Sequence, residues 1–141
     1  MCRTLLQQFF FGTFTASFAF LAYRFTKEKF RLDLYDKRWK FYENLISCLF
    51  LISQLSFSIE VNREELYEKI NNSFRGIGFH SAYFLFSDDI GNLLNKINTK
   101  YSNLLGNPNK ESELINESKC ADSFINESKT LFKKYMDFSQ Y

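Results

Sequence analysis

Glycine and proline are scarce in this sequence of 141 residues, which contains five Gly and one Pro. An all-β sandwich or barrel needs many turns that use both residue types, so the composition argues against that class. Apolar residues make up 45% of the chain and Phe alone occurs 18 times, which argues against general disorder. The length suits one compact domain with a further segment and is too short for two domains. Helix is therefore the predicted secondary structure.

The sequence also lacks the clusters that hold metals or perform catalysis. Its three cysteines, Cys2, Cys48 and Cys120, form no C-x-x-C pair and have one His to join them. We interpret them as buried or idle thiols of a reducing compartment. No Ser or Cys has a recognisable nucleophile context, and Gly76-x-Gly78 is not a phosphate-binding loop. We therefore expect no cofactor, no metal and no enzymatic activity.

Positive charge is concentrated in one short segment. The formal net charge is +2, but Arg24 to Lys40 contains seven Lys/Arg against three Asp/Glu. From Phe41 onward there are ten basic and thirteen acidic residues. A nucleic-acid-binding protein is expected to spread its positive charge over a folded face. The distribution argues against nucleic acid as a partner.

Twenty residues without charge lie between Arg3 and Arg24. A helix of that length spans about 30 Å, which matches the hydrocarbon core of a bilayer. Tyr23 followed by Arg24 is typical of the membrane–water boundary. We predict that Thr4 to Tyr23 is a transmembrane helix in contact with the lipid bilayer. Five polar side chains weaken its apolar character: Gln7, Gln8, Thr13, Thr15 and Ser17.

Three other interpretations of this segment stay open: a cleaved signal peptide, a buried helix of a soluble core, and a helix lying in the membrane interface. A signal peptide would need a basic first region and a small-x-small cleavage site after a shorter apolar run. An interfacial helix would need a polar, usually basic, face, which the uncharged run lacks.

The flanking charges predict the orientation of the anchor. Arg3 alone precedes the segment, whereas the seven basic residues of Arg24 to Lys40 follow it. The positive-inside bias then places the C-terminal part in the cytoplasm. We predict a single-pass protein of the bacterial inner membrane, with residues 1–26 as anchor and residues 27–141 as a cytoplasmic helical-bundle domain.

The rest of the chain has the periodicity of amphipathic helices. One helix is predicted from Glu28 to Phe57, and others from Val61 to Phe74, Ser87 to Leu104 and Glu111 to Met136, with Gly106 to Asn109 as the clearest break. The fold class predicted is all-α, an N-terminal transmembrane helix continuing into a bundle of about four helices. The sequence leaves open whether anchor and first bundle helix form one rod. The first bundle helix is predicted to bury Leu34, Phe41, Leu45, Cys48, Ile52 and Leu55, beside Tyr35, Trp39, Tyr42, Ile46 and Leu49.

The segment Leu32-Asp33-Leu34-Tyr35-Asp36-Lys37-Arg38, with Tyr42-Glu43 after it, resembles the K-x-R-L-D-L-[YF]-D-[KR]-R-x-x-x-Y-E-like signature of an uncharacterised bacterial family. Members of that family are small proteins with one N-terminal membrane span and a basic juxtamembrane linker. The resemblance continues at Phe84-Leu85-Phe86 with Asp89-Ile90, and at Phe132 to Phe138. It implies the architecture above and no known reaction. The Asn-rich stretch Asn92 to Asn109 departs from the family pattern.

The same signature supplies the candidate interaction residues, which are charged side chains near the predicted membrane: Arg31, Asp33, Asp36, Lys37, Arg38 and Lys40. They can dock a partner or contact lipid head groups. The structural alternative is a solvated helix face, with Arg38 capping the end of a neighbouring helix.

Other residues with possible chemistry have simpler structural interpretations. Trp39 and its neighbouring tyrosines could stack on nucleic-acid bases, but their helical spacing predicts a place in the core. We expect Asp88 and Asp89 to interact favourably with the dipole at the N-terminus of a helix rather than to act in acid–base catalysis. His80, within an aromatic run, is expected to be a packed or surface residue.

These observations favour a membrane-tethered, non-enzymatic helical module for protein interaction or scaffolding. Its partner would be an unknown protein or a second copy of the chain. The alternative is a binder of anionic lipid or nucleic acid through the basic segment, residues 24–40.

Overall fold

The computed structural model describes residues 2–58, 63–107 and 110–136, and their side chains from residue 14 to residue 135. This part of the chain contains helices and no strands, so the all-α class predicted from the sequence is confirmed there. The predicted helix start at Val61, and Pro108 and Asn109 of the predicted break, lie outside the described residues. The helices are α1 (Cys2–Gln54), α2 (Arg63–Gly76), α3 (Phe79–Leu85), α4 (Asp88–Leu105), α5 (Glu111–Ser118) and α6 (Ala121–Met136).

The chain divides into two compact units, Met1–Asp36 and Lys37–Tyr141, and α1 contributes residues to both. The predicted anchor and the helix predicted from Glu28 thus belong to one helical element, in keeping with the lack of Gly and Pro between Thr13 and Arg75. In the first unit the large apolar side chains from Phe14 to Leu32 are at least 50% exposed: Phe14, Phe18, Phe20, Leu21, Tyr23, Phe25, Phe30 and Leu32. Leu34 and Tyr35, at the end of this unit, are half-buried, so Leu34 is not fully buried as the sequence predicted.

Hydropathy gives a separate result for the predicted membrane span. Within the described part of the chain, none of the helices combines the length and the apolar character that a membrane crossing requires. The structure therefore does not support the transmembrane helix predicted from Thr4 to Tyr23. The side chains of residues 4–13 of that segment lie outside those described.

The second unit has a continuous apolar core. Its part of α1 buries one stripe along the helix, as the sequence predicted. Helix α4 lies at the centre, where it contacts α3, α5 and α6. The helical-bundle prediction is confirmed for this unit. The α1 stripe comprises Phe41, Leu45, Cys48, Leu49, Ile52 and the adjacent Leu55, and α4 buries Ile90, Gly91, Leu93, Leu94, Ile97, Tyr101, Leu104 and Leu105.

Three helices are closed at their C-terminal ends by side chains from other helices. Arg38 of α1 donates a hydrogen bond from Nε to the carbonyl oxygen of Leu85, the last residue of α3, at 2.8 Å. The hydroxyl of Tyr67 in α2 donates to Leu105 at the end of α4, also at 2.8 Å. The hydroxyl of Tyr101 in α4 donates to the carbonyl oxygen of Glu117 near the end of α5, at 3.3 Å. The last carbonyls of a helix have no partner within it, and these side chains bond such carbonyls. The Glu117 carbonyl also accepts a hydrogen bond from the Cys120 amide.

The aromatic run from Phe79 to Phe86, for which no secondary structure was predicted, contains helix α3. Gly78 precedes it with φ 65° and ψ 51°, a left-handed conformation that glycine adopts without a steric penalty. Ser81 then donates two hydrogen bonds to the Gly78 carbonyl, one from its amide and one from its hydroxyl. The sequence did not reveal this helix because seven residues are too few to establish a helical period.

Two predicted helix boundaries were wrong. The helix predicted from Glu111 to Met136 is divided into α5 and α6 by a turn at Lys119 and Cys120, in which the Cys120 amide donates to the Glu117 carbonyl. No Gly or Pro marks this turn, so no residue pattern predicts it. Helix α1 ends at Gln54 instead of Phe57, because hydrogen bonds from residues 55–57 to carbonyls three residues earlier tighten the chain into a turn.

Two buried serines of the second unit provide a matched test of polar burial. Ser118 and Ser128 are both 0% exposed. The Ser118 hydroxyl donates to the Ile115 carbonyl at 2.6 Å, whereas within the described part of the chain the Ser128 hydroxyl has no hydrogen-bond partner. A buried hydroxyl without a partner costs about 1–3 kcal/mol.

We predict opposite effects for the two alanine substitutions. Ser128→Ala removes an unsatisfied group and should raise the free energy of unfolding by about 1 kcal/mol, whereas Ser118→Ala removes a hydrogen bond and should lower it by a similar amount. Urea unfolding of the full chain in a non-ionic detergent, followed by circular dichroism, measures both. Equal effects of the two substitutions would contradict this account of Ser128.

Candidate functional site

The structure distributes the six predicted interaction residues between the two units. Arg31, Asp33 and Asp36 belong to the first unit, where Arg31 is half-buried and the two acids are exposed. The other three belong to the second unit, and they have different environments: Arg38 is half-buried, whereas Lys37 and Lys40 are exposed.

Arg38 has a structural role in the second unit. Besides its bond to Leu85, its guanidinium carbon lies 5.9 Å from the ring centroid of Phe86 and 5.6 Å from that of Tyr135. A planar cation gains energy over aromatic faces while its N–H groups stay available as donors. The sequence-based alternative, that Arg38 caps the end of a neighbouring helix, is therefore confirmed.

An aromatic cluster holds the segment that Arg38 caps. The Phe86 ring centroid lies 5.4 Å from Phe41 and 4.8 Å from Phe132, and the Phe41 and Phe132 rings stack at 6.4 Å. Phe86 thus joins α1 to α6 directly after the last residue of α3. The C-terminal end of α3 is fixed both by the Arg38 hydrogen bond and by this packing.

Beside this fixed helix end lies an open groove of about 440 Å³, which we name the Lys–Phe groove. Phe41 is 6% exposed and Leu85 is half-buried, so they form its floor, whereas Phe84 is 92% exposed and forms part of its rim. Lys37 and Lys40, one helical turn apart on α1, supply the charge. Among the described residues no carboxylate lines the groove; it is lined by Lys37, Lys40, Phe41, Ser81, Phe84 and Leu85.

A second open cavity of about 330 Å³ contains the one histidine of the sequence. Arg75 and His80 line it, together with amide and hydroxyl side chains. The C-terminal ends of α2 and α4 also border it, since Phe74, Ser102 and Leu105 are among its walls. Helix C-termini carry partial negative charge, which opposes the attraction of the two basic groups for an anion.

The acidic residues considered for chemistry occupy a helix start. Asp88 and Asp89 are exposed in the first turn of α4, with Ser87 at the N-cap position, as predicted. The Ser87 hydroxyl does not cap the helix; it hydrogen-bonds the hydroxyl of Tyr135 in α6. Two carboxylates there interact favourably with the helix dipole.

The prediction that Trp39 is a core residue was wrong. Trp39 is 41% exposed, and its ring lies 5.9 Å from that of the half-buried Tyr42. Residues two apart on an α-helix point about 200° apart, so Trp39 is turned away from the side on which Phe41 enters the core. Its helical spacing made it look like a core residue because the apolar face of α1 is wide.

The cysteines of the second unit agree with part of the sequence interpretation. Cys48 is fully buried, and this burial raises the pKa of its thiol to about 11 despite a hydrogen bond with Ser73. A thiol with a raised pKa is a poor nucleophile. Cys120 is half-buried, and the side chain of Cys2 lies outside those described.

No pattern in the sequence predicted that residues of α3 line the groove. In the sequence, Phe84 and Leu85 stand out only through the family resemblance and their place in an aromatic run. The only available signal was the density of aromatics, which does not tell an exposed Phe84 from a buried Phe86. That distinction depends on which side of a short helix faces the core.

We predict that Arg38→Lys lowers the free energy of unfolding by about 2 kcal/mol, because lysine lacks the planar group that bonds Leu85 while lying over two rings. Urea unfolding of the full chain in a non-ionic detergent gives the value. Lys40→Met, at an exposed position of the same helix, is the control and should change it by less than about 0.5 kcal/mol. If Arg38→Lys were as stable as the unchanged chain, the capping role of Arg38 would be wrong.

No family model, curated protein or solved structure matches this chain. The resemblance to a bacterial family of small single-pass membrane proteins therefore remains a prediction from the quoted residues. Of its C-terminal motif, Asp137 and Phe138 lie outside the described residues.

Proposed function

We propose that this chain is a non-enzymatic, membrane-tethered helical module that holds a partner protein, or a second copy of itself, at the cytoplasmic face of a bacterial inner membrane. The observation that carries the proposal is the contrast in burial between the units. The second unit has a continuous core, whereas the large apolar side chains from Phe14 to Leu32 in the first unit are exposed.

The exposed side chains of the first unit favour a tether. Phe18 and Phe20 lie on opposite sides of the helix and are 63% and 61% exposed. Burying a large apolar side chain is worth about 1.5–3 kcal/mol, so a helix that is apolar on several sides gains from an apolar surrounding. Lipid provides such a surrounding on all sides. The basic segment that follows from Arg24 agrees with an anchor whose next residues lie in the cytoplasm.

The second unit supports the docking part of the proposal. The Lys–Phe groove combines an apolar floor with charges at its edge, and the adjacent Tyr83 is also 58% exposed. An apolar centre with a charged rim and exposed aromatics is typical of protein interaction sites. The groove is held by the capped end of α3, so little ordering is needed when a partner binds.

The alternative, polyanion binding through residues 24–40, has less support. Arg38 bonds the Leu85 carbonyl and lies over two aromatic rings, so turning it toward a phosphate would cost these contacts. The remaining cations alternate with Glu28, Asp33 and Asp36. A steep loss of binding as salt rises would characterise that alternative.

We predict that the untagged full-length chain floats with membranes in a density gradient, resists a high-salt wash and is released by detergent. The double substitution Phe14→Glu/Phe18→Glu should shift it to the soluble fraction, because each charge at the centre of a span costs about 2.5–3.5 kcal/mol. Immunoblotting of the gradient fractions measures the distribution.

The matched control for this experiment is Phe57→Glu, which changes an 84% exposed phenylalanine of the second unit and should leave flotation unchanged. Recovery of the unchanged chain in the soluble fraction without detergent would refute the tether.

The orientation yields a separate prediction. A periplasmic phosphatase fused after Tyr141 should be inactive, because the basic residues after the anchor retain that side in the cytoplasm. Replacing Arg24, Lys27, Lys29 and Arg31 by Gln while adding lysines before Thr4 should raise the phosphatase activity. High activity of the first fusion would reverse the proposed topology.

A further inference from the structure

The Lys–Phe groove has the features of a site for one particular kind of segment. Its two cations, Lys37 and Lys40, are exposed at the edge, and its apolar surface comes from Phe41, Phe84 and Leu85. Phe84 is 92% exposed, the highest value among the large apolar side chains described. An occupant that suits this groove combines negative charge with an apolar side chain.

The groove is also preformed. Leu85 is fixed through its carbonyl by Arg38, and the next residue, Phe86, packs on Phe41 and Phe132. The wall from α3 and the wall from α1 are therefore joined at the base of the groove. A preformed site loses little conformational entropy on binding, so a short segment can bind to it specifically.

We propose that the Lys–Phe groove docks a short acidic segment of a partner protein. One aromatic or large aliphatic side chain of that segment packs on Phe84 and Leu85, and flanking carboxylates pair with Lys37 and Lys40. This inference deepens the proposed function and rests on its docking part.

The observations favour a protein segment over the other anionic partners. Nucleic acids are bound through rows of cations that follow regularly spaced phosphates, whereas this groove has two lysines one turn apart. A lipid surface is met by a protruding apolar wedge, whereas here the apolar residues form the floor of a concavity as well as its rim. A concave apolar site with a charged edge suits a single inserted side chain.

The test uses the full chain in non-ionic detergent micelles and a phage library of random twelve-residue peptides. Selection on the unchanged chain, with counter-selection on Phe84→Ser combined with Lys37→Glu/Lys40→Glu, should enrich peptides in which Asp or Glu flanks an aromatic or Leu. Fluorescence anisotropy then measures the affinity of one synthetic peptide from the selection. We expect Phe84→Ser alone and Lys37→Glu/Lys40→Glu alone each to weaken it by about tenfold or more.

Matched controls distinguish binding in the groove from nonspecific hydrophobic or electrostatic binding elsewhere on the protein. Phe57→Ser changes another strongly exposed phenylalanine, and Lys129→Glu/Lys133→Glu changes two exposed lysines one turn apart on α6. Both should leave the affinity unchanged. A peptide with its acidic residues replaced by Lys should bind Lys37→Glu/Lys40→Glu better than the unchanged chain, which a merely unfolded variant cannot reproduce.

Three results would overturn the proposal: no peptide selected on the groove, selected peptides without acidic enrichment, or affinities unaffected by the groove substitutions. Saturable binding of phosphatidylglycerol nanodiscs that requires Phe84 and excludes the peptide would assign the groove to lipid instead. Since the selection takes place in micelles, its result is independent of the tether. If the unchanged chain stays soluble but its peptide binding depends on the groove residues, only the tether is refuted. If it floats with membranes but its peptide binding does not depend on them, only the groove proposal is refuted.

Discussion

The helical bundle depends on side chains that cap the C-terminal ends of other helices. Within the second unit, Arg38 bonds the last carbonyl of α3, Tyr67 that of α4, and Tyr101 a carbonyl near the end of α5. A carbonyl buried without a partner costs about as much as a lost hydrogen bond or more, so these donors stabilise helix ends that lie within the packed bundle. Burial raises the pKa of both tyrosines, so both hydroxyls remain donors well above neutral pH. These caps set where the helices stop and hence how they pack.

The same constraint links the fold to the candidate site. Capping of α3 by Arg38 places Leu85 beside α1, and the following Phe86 enters the aromatic cluster with Phe41 and Phe132. Because α3 is so short, its outer residue Phe84 then has no core to enter and stays exposed above Lys37 and Lys40. A surface with apolar and basic character is thus a consequence of how a seven-residue helix is fixed at its end.

The two units differ in what they require from their surroundings. The second unit buries its own apolar residues, including nearly all of the stripe that the sequence predicted for α1. The first unit presents aromatic side chains on several sides of one helix, and the free energy available from covering them favours contact with lipid or protein. The proposed tether and the proposed docking groove follow from these two different surfaces. The two surfaces consist of different residues, so a substitution can change one and leave the other intact.

Neighbouring residues alone predicted the all-α class, the buried stripe of α1 from Phe41 onward and the start of α4 after Ser87, because apolar periodicity and capping chemistry are local properties. The sequence also identified Arg38 as a possible cap. The folded chain shows three features that the residue pattern did not predict: Arg38 bonds Leu85, the last predicted helix is divided at Lys119 and Cys120, and Lys37 and Lys40 share a groove with Phe84. The Arg38 cap and the groove depend on contacts between residues as many as 47 positions apart, which no local pattern encodes. Trp39 shows the same limit, since the period of a wide apolar face does not tell which of its edges the rest of the bundle covers.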